Sequence, residues 1–116
     1  MSEIKIIREP ITRAELKKIA KERFGDMVKV AVDIEQEIIA IGGEFHMDES
    51  NILYEESNSK WPNTWGINIY PDKTGEGFVE FDSMINLKPN EGNRSRDIED
   101  QNIKNKILEI VCKLIK

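Results

Sequence analysis

The sequence predicts an α+β fold: a single, mostly antiparallel sheet with helices packed on one face, in the order β-α-β-β-α-β-β-α. Three observations predict it. Residues 27–34 with 38–45, and 65–70 with 78–87, form two pairs of period-two segments, each joined by a short turn. Residues 12–24 and 100–116 repeat their apolar positions at helical spacing behind recognisable start signals. The chain of 116 residues is 39% hydrophobic and 34% charged, enough apolar content for one core and too much for disorder.

In order, residues 3–7 (EIKII) read as a short first strand ended by Pro10. Thr12 and Glu15 have capping-box spacing, and Ile11 with Leu16 that of a hydrophobic staple. Leu16, Ile19, Ala20 and Phe24 form the inward stripe of that helix, and Gly25 stands where a left-handed cap belongs. Residues 27–34 alternate Val28, Val30, Val32 and Ile34 against Lys29, Ala31 and Asp33. The return strand, 38–45, contains Ala40, Gly42 and Gly43, which imply a bulge or a close backbone approach.

A short helix over residues 49–56, N-capped by Asp48, comes next, with Ile52 and Leu53 facing in. The loop 57–64 carries Trp61, which either plugs the core edge or closes over a ligand. In the last hairpin Trp65, Ile67 and Ile69 face the core opposite Val79, Phe81, Ser83, Ile85 and Leu87. The other phase gathers Asn68, Tyr70, Glu80, Asp82 and Asn86 into one polar patch. A long polar loop, 88–100, leads to a terminal helix capped by Asp100, whose inward stripe is Ile103, Ile107, Ile110, Val111 and Leu114.

Charge is uneven. Residues 1–24 carry seven Lys/Arg against four Asp/Glu, whereas residues 25–91 carry four against fourteen, within a net charge of −5. An acidic middle repels phosphate backbones, so nucleic acid is not an expected partner. No apolar run reaches the roughly 18 residues of a membrane span, and no signal-peptide pattern opens the chain. Cys112 is the only cysteine, which rules out a disulfide within the chain. A soluble cytoplasmic protein of one domain, residues 1–116, is the expectation.

Chemistry is expected in two places. Glu44, His46 and Asp48, if extended, project from one side at two-residue spacing, a set able to hold a divalent metal or do acid–base work. The polar sheet face supplies Asp82 and Glu80 as further acid–base or ligating groups, with Asn68, Tyr70 and Asn86 to orient a ligand. Arg94 and Arg96, near a helix start, either bind a carboxylate or phosphate or bridge to the acids of the middle segment. The sequence contains no P-loop, dinucleotide glycine fingerprint or HExxH motif, and no nucleophile-elbow serine for His46 to serve.

The blocks IIREPIT, RFGDMVKVAVDIE, IGGEFHMDE, WGINIYP, EFDSMINLKP and GNRSR resemble a small prokaryotic family of uncharacterised proteins, a domain of unknown function. The resemblance spans nearly the whole chain and implies a complete single-domain protein, with no activity or cofactor attached. The residues themselves point to a small-molecule or divalent-metal site on the polar sheet face, with hydrolytic or acid–base chemistry as the reaction class that suits them if it is catalytic. The alternative is a non-catalytic interaction module or homodimer, whose polar face and Trp61 loop meet another protein.

Overall fold

A computed structural model describes residues 3–116. The elements follow the expected order: β1 (Lys5–Ile7), α1 (Arg13–Arg23), β2 (Val28–Asp33), β3 (Ile38–Ile41), α2 (His46–Ser57), β4 (Thr64–Ile69), β5 (Val79–Glu80) and α3 (Gln101–Leu114). One sheet holds all five strands in the order β1-β3-β2-β4-β5, and every pairing is antiparallel.

Local signals set the helix ends. The Glu15 amide donates to Thr12 Oγ1 at 3.1 Å, so Thr12 caps α1 as expected, while the Glu15 carboxylate returns to the Thr12 hydroxyl, at 3.4 Å, instead of the backbone N–H of a full capping box. Asp100 caps α3 by accepting from the Asn102 amide at 2.8 Å. Ile11 bonds backbone to backbone with Leu114 and Lys116, which ties the start of α1 to the end of α3.

Helices α1 and α3 pack on one sheet face. Leu16, Ala20, Ile107, Ile110, Val111 and Leu114 meet Val30, Val32, Ile39, Ile41, Trp65, Ile67 and Ile69 there. Each fully buried aliphatic side chain in this layer contributes roughly 1.5–3 kcal/mol. The other face is not wholly given to polar side chains as expected, because α2 covers part of it. Leu53 of α2 packs on Ala31, Ile38, Ala40 and Ile85 in a second, smaller core. The small side chains Ala31 and Ala40 admit the helix, and that is why weak strand formers stand in β2 and β3.

Two expectations are corrected. The strand over residues 38–45 stops at Ile41, because Gly42 turns the chain at φ +94° and a Cβ there would lie 2.7 Å from the Glu3 carbonyl oxygen. The strand over 78–87 is only Val79–Glu80. Beyond it Ser83 Oγ accepts from the Ile85 amide at 3.2 Å and caps a 3-10 turn, Met84–Asn86. Asn86 then does with its side chain what a strand would do with backbone. Its Oδ1 accepts from Gly66 N–H at 2.7 Å, and its Nδ2 donates to the Gly66 carbonyl at 2.9 Å. Gly66 is required, since a Cβ there would sit 2.4 Å from Ser83 Oγ.

Candidate functional site

The uncovered end of the α2 face holds the site. Register places Lys29 of β2, Asn68 of β4 and Glu80 of β5 side by side across three strands. The N-terminus of α2 arrives above them. A pocket of about 190 Å³ opens between these parts, lined by Lys29, Phe45, His46, Met47, Asn68, Asp82, Ser83, Met84, Ile85 and Arg96.

Asn68 is 6% exposed. Both hydrogens of its amide are used, on Glu80 Oε1 at 2.9 Å and the Asp82 carbonyl at 3.3 Å. Those partners only accept, so the orientation of the amide is fixed. Its Oδ1 is buried with no hydrogen-bond partner among the described residues. An orphaned buried acceptor is costly, about 1–3 kcal/mol, so this atom needs an explanation.

His46, the only histidine, is buried and places Nε2 2.8 Å from the Ile67 carbonyl oxygen. A carbonyl cannot donate, so Nε2 carries the proton and Nδ1 of the neutral ring is left as the acceptor. Burial pushes the imidazole below its ordinary pKa. The Ile67 carbonyl, Asn68 and Asp82 pull the other way, and Lys29 adds to the lowering.

The cationic groups differ. Arg96 Nε sits 2.7 Å from Asp82 Oδ1, with both side chains about half exposed. The Lys29 ammonium has no carboxylate within ion-pair distance among the described residues; it lies 5.3 Å from the Phe24 ring centre and 5.5 Å from that of Phe45. The α2 N-cap is Phe45, which offers no side-chain acceptor, so the first amides of the helix and its positive dipole end lack a side-chain cap. Lys29 and Arg96 against Asp82 give the pocket a positive balance within a negative protein.

The structure thus brings His46, Asn68, Asp82 and Arg96 together and separates the other candidates from them. Glu44 and Asp48 do not line up with His46, because the chain is helical from His46 onward; Asp48 is rotated by roughly 200° about the axis. They border a separate recess with Arg23 and Gly43. Among the described residues no group of three or more His, Cys, Asp or Glu side chains could hold a metal ion, so the trio is corrected as a metal set. Glu80 is engaged by Asn68 and by the Tyr70 hydroxyl at 3.1 Å, and burial with Glu80 raises the Tyr70 pKa. Asn86 is consumed by its bonds to Gly66, and the exposed Arg94 donates its backbone N–H to the Glu99 carboxylate, with no bond from its guanidinium among the described residues.

Three residues escaped the sequence reading. Lys29 belongs to the polar phase of β2, and pairing that phase with Asn68 would have found it. Glu49, on the inward side of α2, is fully buried, where Oε2 accepts from the Gly43 amide at 2.9 Å and Oε1 has no partner among the described residues; burial raises its pKa well above its ordinary value. Lys88 is buried with its ammonium 3.7 Å from the Trp61 ring centre and 4.9 Å from that of Trp65, donating to the Ile85 carbonyl; burial lowers its pKa to about 8. No sequence signal marks either of these two.

The chain belongs to the family described as "Protein of unknown function (DUF5674)", which it matches over residues 5–114. No curated protein and no solved structure matches it. No helix among the described residues is long and apolar enough to cross a membrane.

Proposed function

We propose that this protein binds a small molecule in the pocket between the α2 N-terminus and Asn68, with His46 able to act as a base on it. The unpartnered Oδ1 of Asn68 carries the reading. Every other part of that amide is saturated, and the residue lines a pocket that a ligand donor can enter. His46 adds chemistry: its proton is fixed on Nε2 by Ile67, so its lone pair is available at Nδ1. At about 190 Å³ the pocket lies below the ~300–1,000 Å³ of drug-sized sites, so the ligand is small. A single cysteine is in keeping with a reducing, cytoplasmic setting, and the prokaryotic setting rests on the family resemblance alone.

Amide NMR of the full chain against a mixed fragment library tests this. Shifts should concentrate at residues 29, 45–47 and 68; a library that moves none of these signals contradicts it.

One observation favours the interaction reading as second choice. Phe45, Met47, Tyr54, Trp61 and Met84 are all exposed large apolar side chains, on α2 and the segments beside it. Sedimentation across a hundredfold concentration range would reveal self-association there, and a monomer throughout removes the homodimer.

A further inference from the structure

Resting on that pocket, we infer that its ligand is a small monocarboxylate carrying an adjacent neutral donor, a hydroxyl or an amide N–H, on a short apolar body. Each part follows from a different wall. The carboxylate is called for by the Lys29 ammonium, which has no carboxylate partner among the described residues, and by the α2 N-terminus, which has no side-chain cap. Charge limits the ligand to a single negative charge. Arg96 is already neutralised by Asp82, and the Asp82 carboxylate stands in the pocket wall, with Glu80 beside Asn68. A dianion such as a phosphate monoester would meet that carboxylate with only one uncompensated cation opposite.

The donor is called for by Asn68 Oδ1, buried without a partner, and by Nδ1 of His46, which in the neutral ring can only accept. Two acceptors on residues that line one pocket disfavour a ligand with no donor to give. The donor is neutral because an ammonium would share the pocket with Lys29, the cation that no carboxylate there compensates. Phe45, Met47 and Met84, each about half exposed or more, supply the apolar rim.

Three matched probes isolate these terms: 2-hydroxy-4-methylpentanoate, 4-methylpentanoate without the hydroxyl, and 2-hydroxy-4-methylpentanamide without the charge. Each is titrated into the full chain and followed at the amides of residues 29, 45–47 and 68. The hydroxy acid should bind about tenfold more tightly than either partner probe, the factor expected for leaving a buried acceptor or a charge unpaired. Lys29→Met should cut the preference for acid over amide several-fold, to what the α2 N-terminus alone gives, while keeping that for the hydroxyl. The wild-type comparison decides the ligand class by itself if that variant does not fold. Equal binding of all three at the pocket overturns the ligand class and leaves the pocket standing. So does silence of all three where other fragments still bind there. Silence of both the probes and the library overturns the two readings together.

Discussion

Asn68 in β4 and Asn86 beside it are both buried amides, and the molecule treats them in opposite ways. Asn86 bonds Gly66 at both N–H and carbonyl and also donates to the Arg96 carbonyl at 2.9 Å. Close by, Asn93 donates to the carbonyls of Asn86, Ser95 and Asp97, and its Oδ1 accepts from the Glu99 amide. The loop that follows β5 is therefore held by side chains whose side-chain amide atoms all have partners. Around Asn68 the opposite holds: an acceptor without a donor, a lysine without a carboxylate and a helix start without a side-chain cap share one pocket. Saturated amides hold the chain in place, and unsaturated ones wait for something outside it.

The largest expected effect tests that contrast. Asn86→Ala strands the N–H and carbonyl of Gly66 and removes one of two bonds to the Arg96 carbonyl, and should destabilise by about 3 kcal/mol or more in urea unfolding. Asn68→Ala removes an orphaned acceptor along with its two bonds, to Glu80 and to the Asp82 carbonyl, and should cost under about 1 kcal/mol. Equal losses would break the division between the two regions.

Next is Glu49→Gln. Burial makes the folded protein hold a proton on Glu49 over a pH range in which the unfolded chain has released it. Its folded pKa is raised, so stability is greatest below the unfolded carboxyl value of ~4.3 and declines as pH rises toward the folded value. Glutamine removes that decline. The variant should be more stable at neutral pH, within the ~0.5–2 kcal/mol usual for single stabilising changes, and should gain nothing near pH 4. Thermal melts across pH check it; a variant less stable at pH 7 would show Glu49 to be ionised and compensated.

How much of this was legible in the sequence follows from where the signals lie. The element order was readable because alternation and caps are local: Thr12 with Glu15 and Asp100 with Asn102 announce their helices through their own side chains. The start of α2 was not, because its N-cap is a phenylalanine with no capping bond, so His46 looked extended when it is the first helical residue. The false strand over 81–87 arose because Ser83, Ile85 and Leu87 keep the alternation while Asn86 pairs through its side chain, twenty residues from Gly66. Of the site, Asn68, Asp82, Arg96 and His46 were named, but on different grounds. What joins them is the cross-strand register and the arrival of α2, neither of which is local in sequence.

The smallest effects come from the arginines. Arg96→Ala loses a half-exposed ion pair and should cost about 0–1 kcal/mol; the exposed Arg94, whose guanidinium makes no hydrogen bond or ion pair among the described residues, should cost under ~0.5 kcal/mol. Urea unfolding of the two variants checks the order. A loss above 2 kcal/mol for Arg94→Ala would move the loop out of the solvent-facing class.

The central claim is that the pocket holds a neutral histidine with an open acceptor, and with one histidine in the chain it can be measured without assignment. Long-range proton–nitrogen NMR of the His46 ring across pH reads both its tautomer and its titration. The account predicts a proton on Nε2, a lone pair on Nδ1 and a midpoint below the ordinary value of about 6.5. Because the folded value is lowered, the stability tied to the neutral ring is present above that ordinary value and is lost as pH falls through the folded one. A proton on Nδ1, or a midpoint above 6.5, would contradict it.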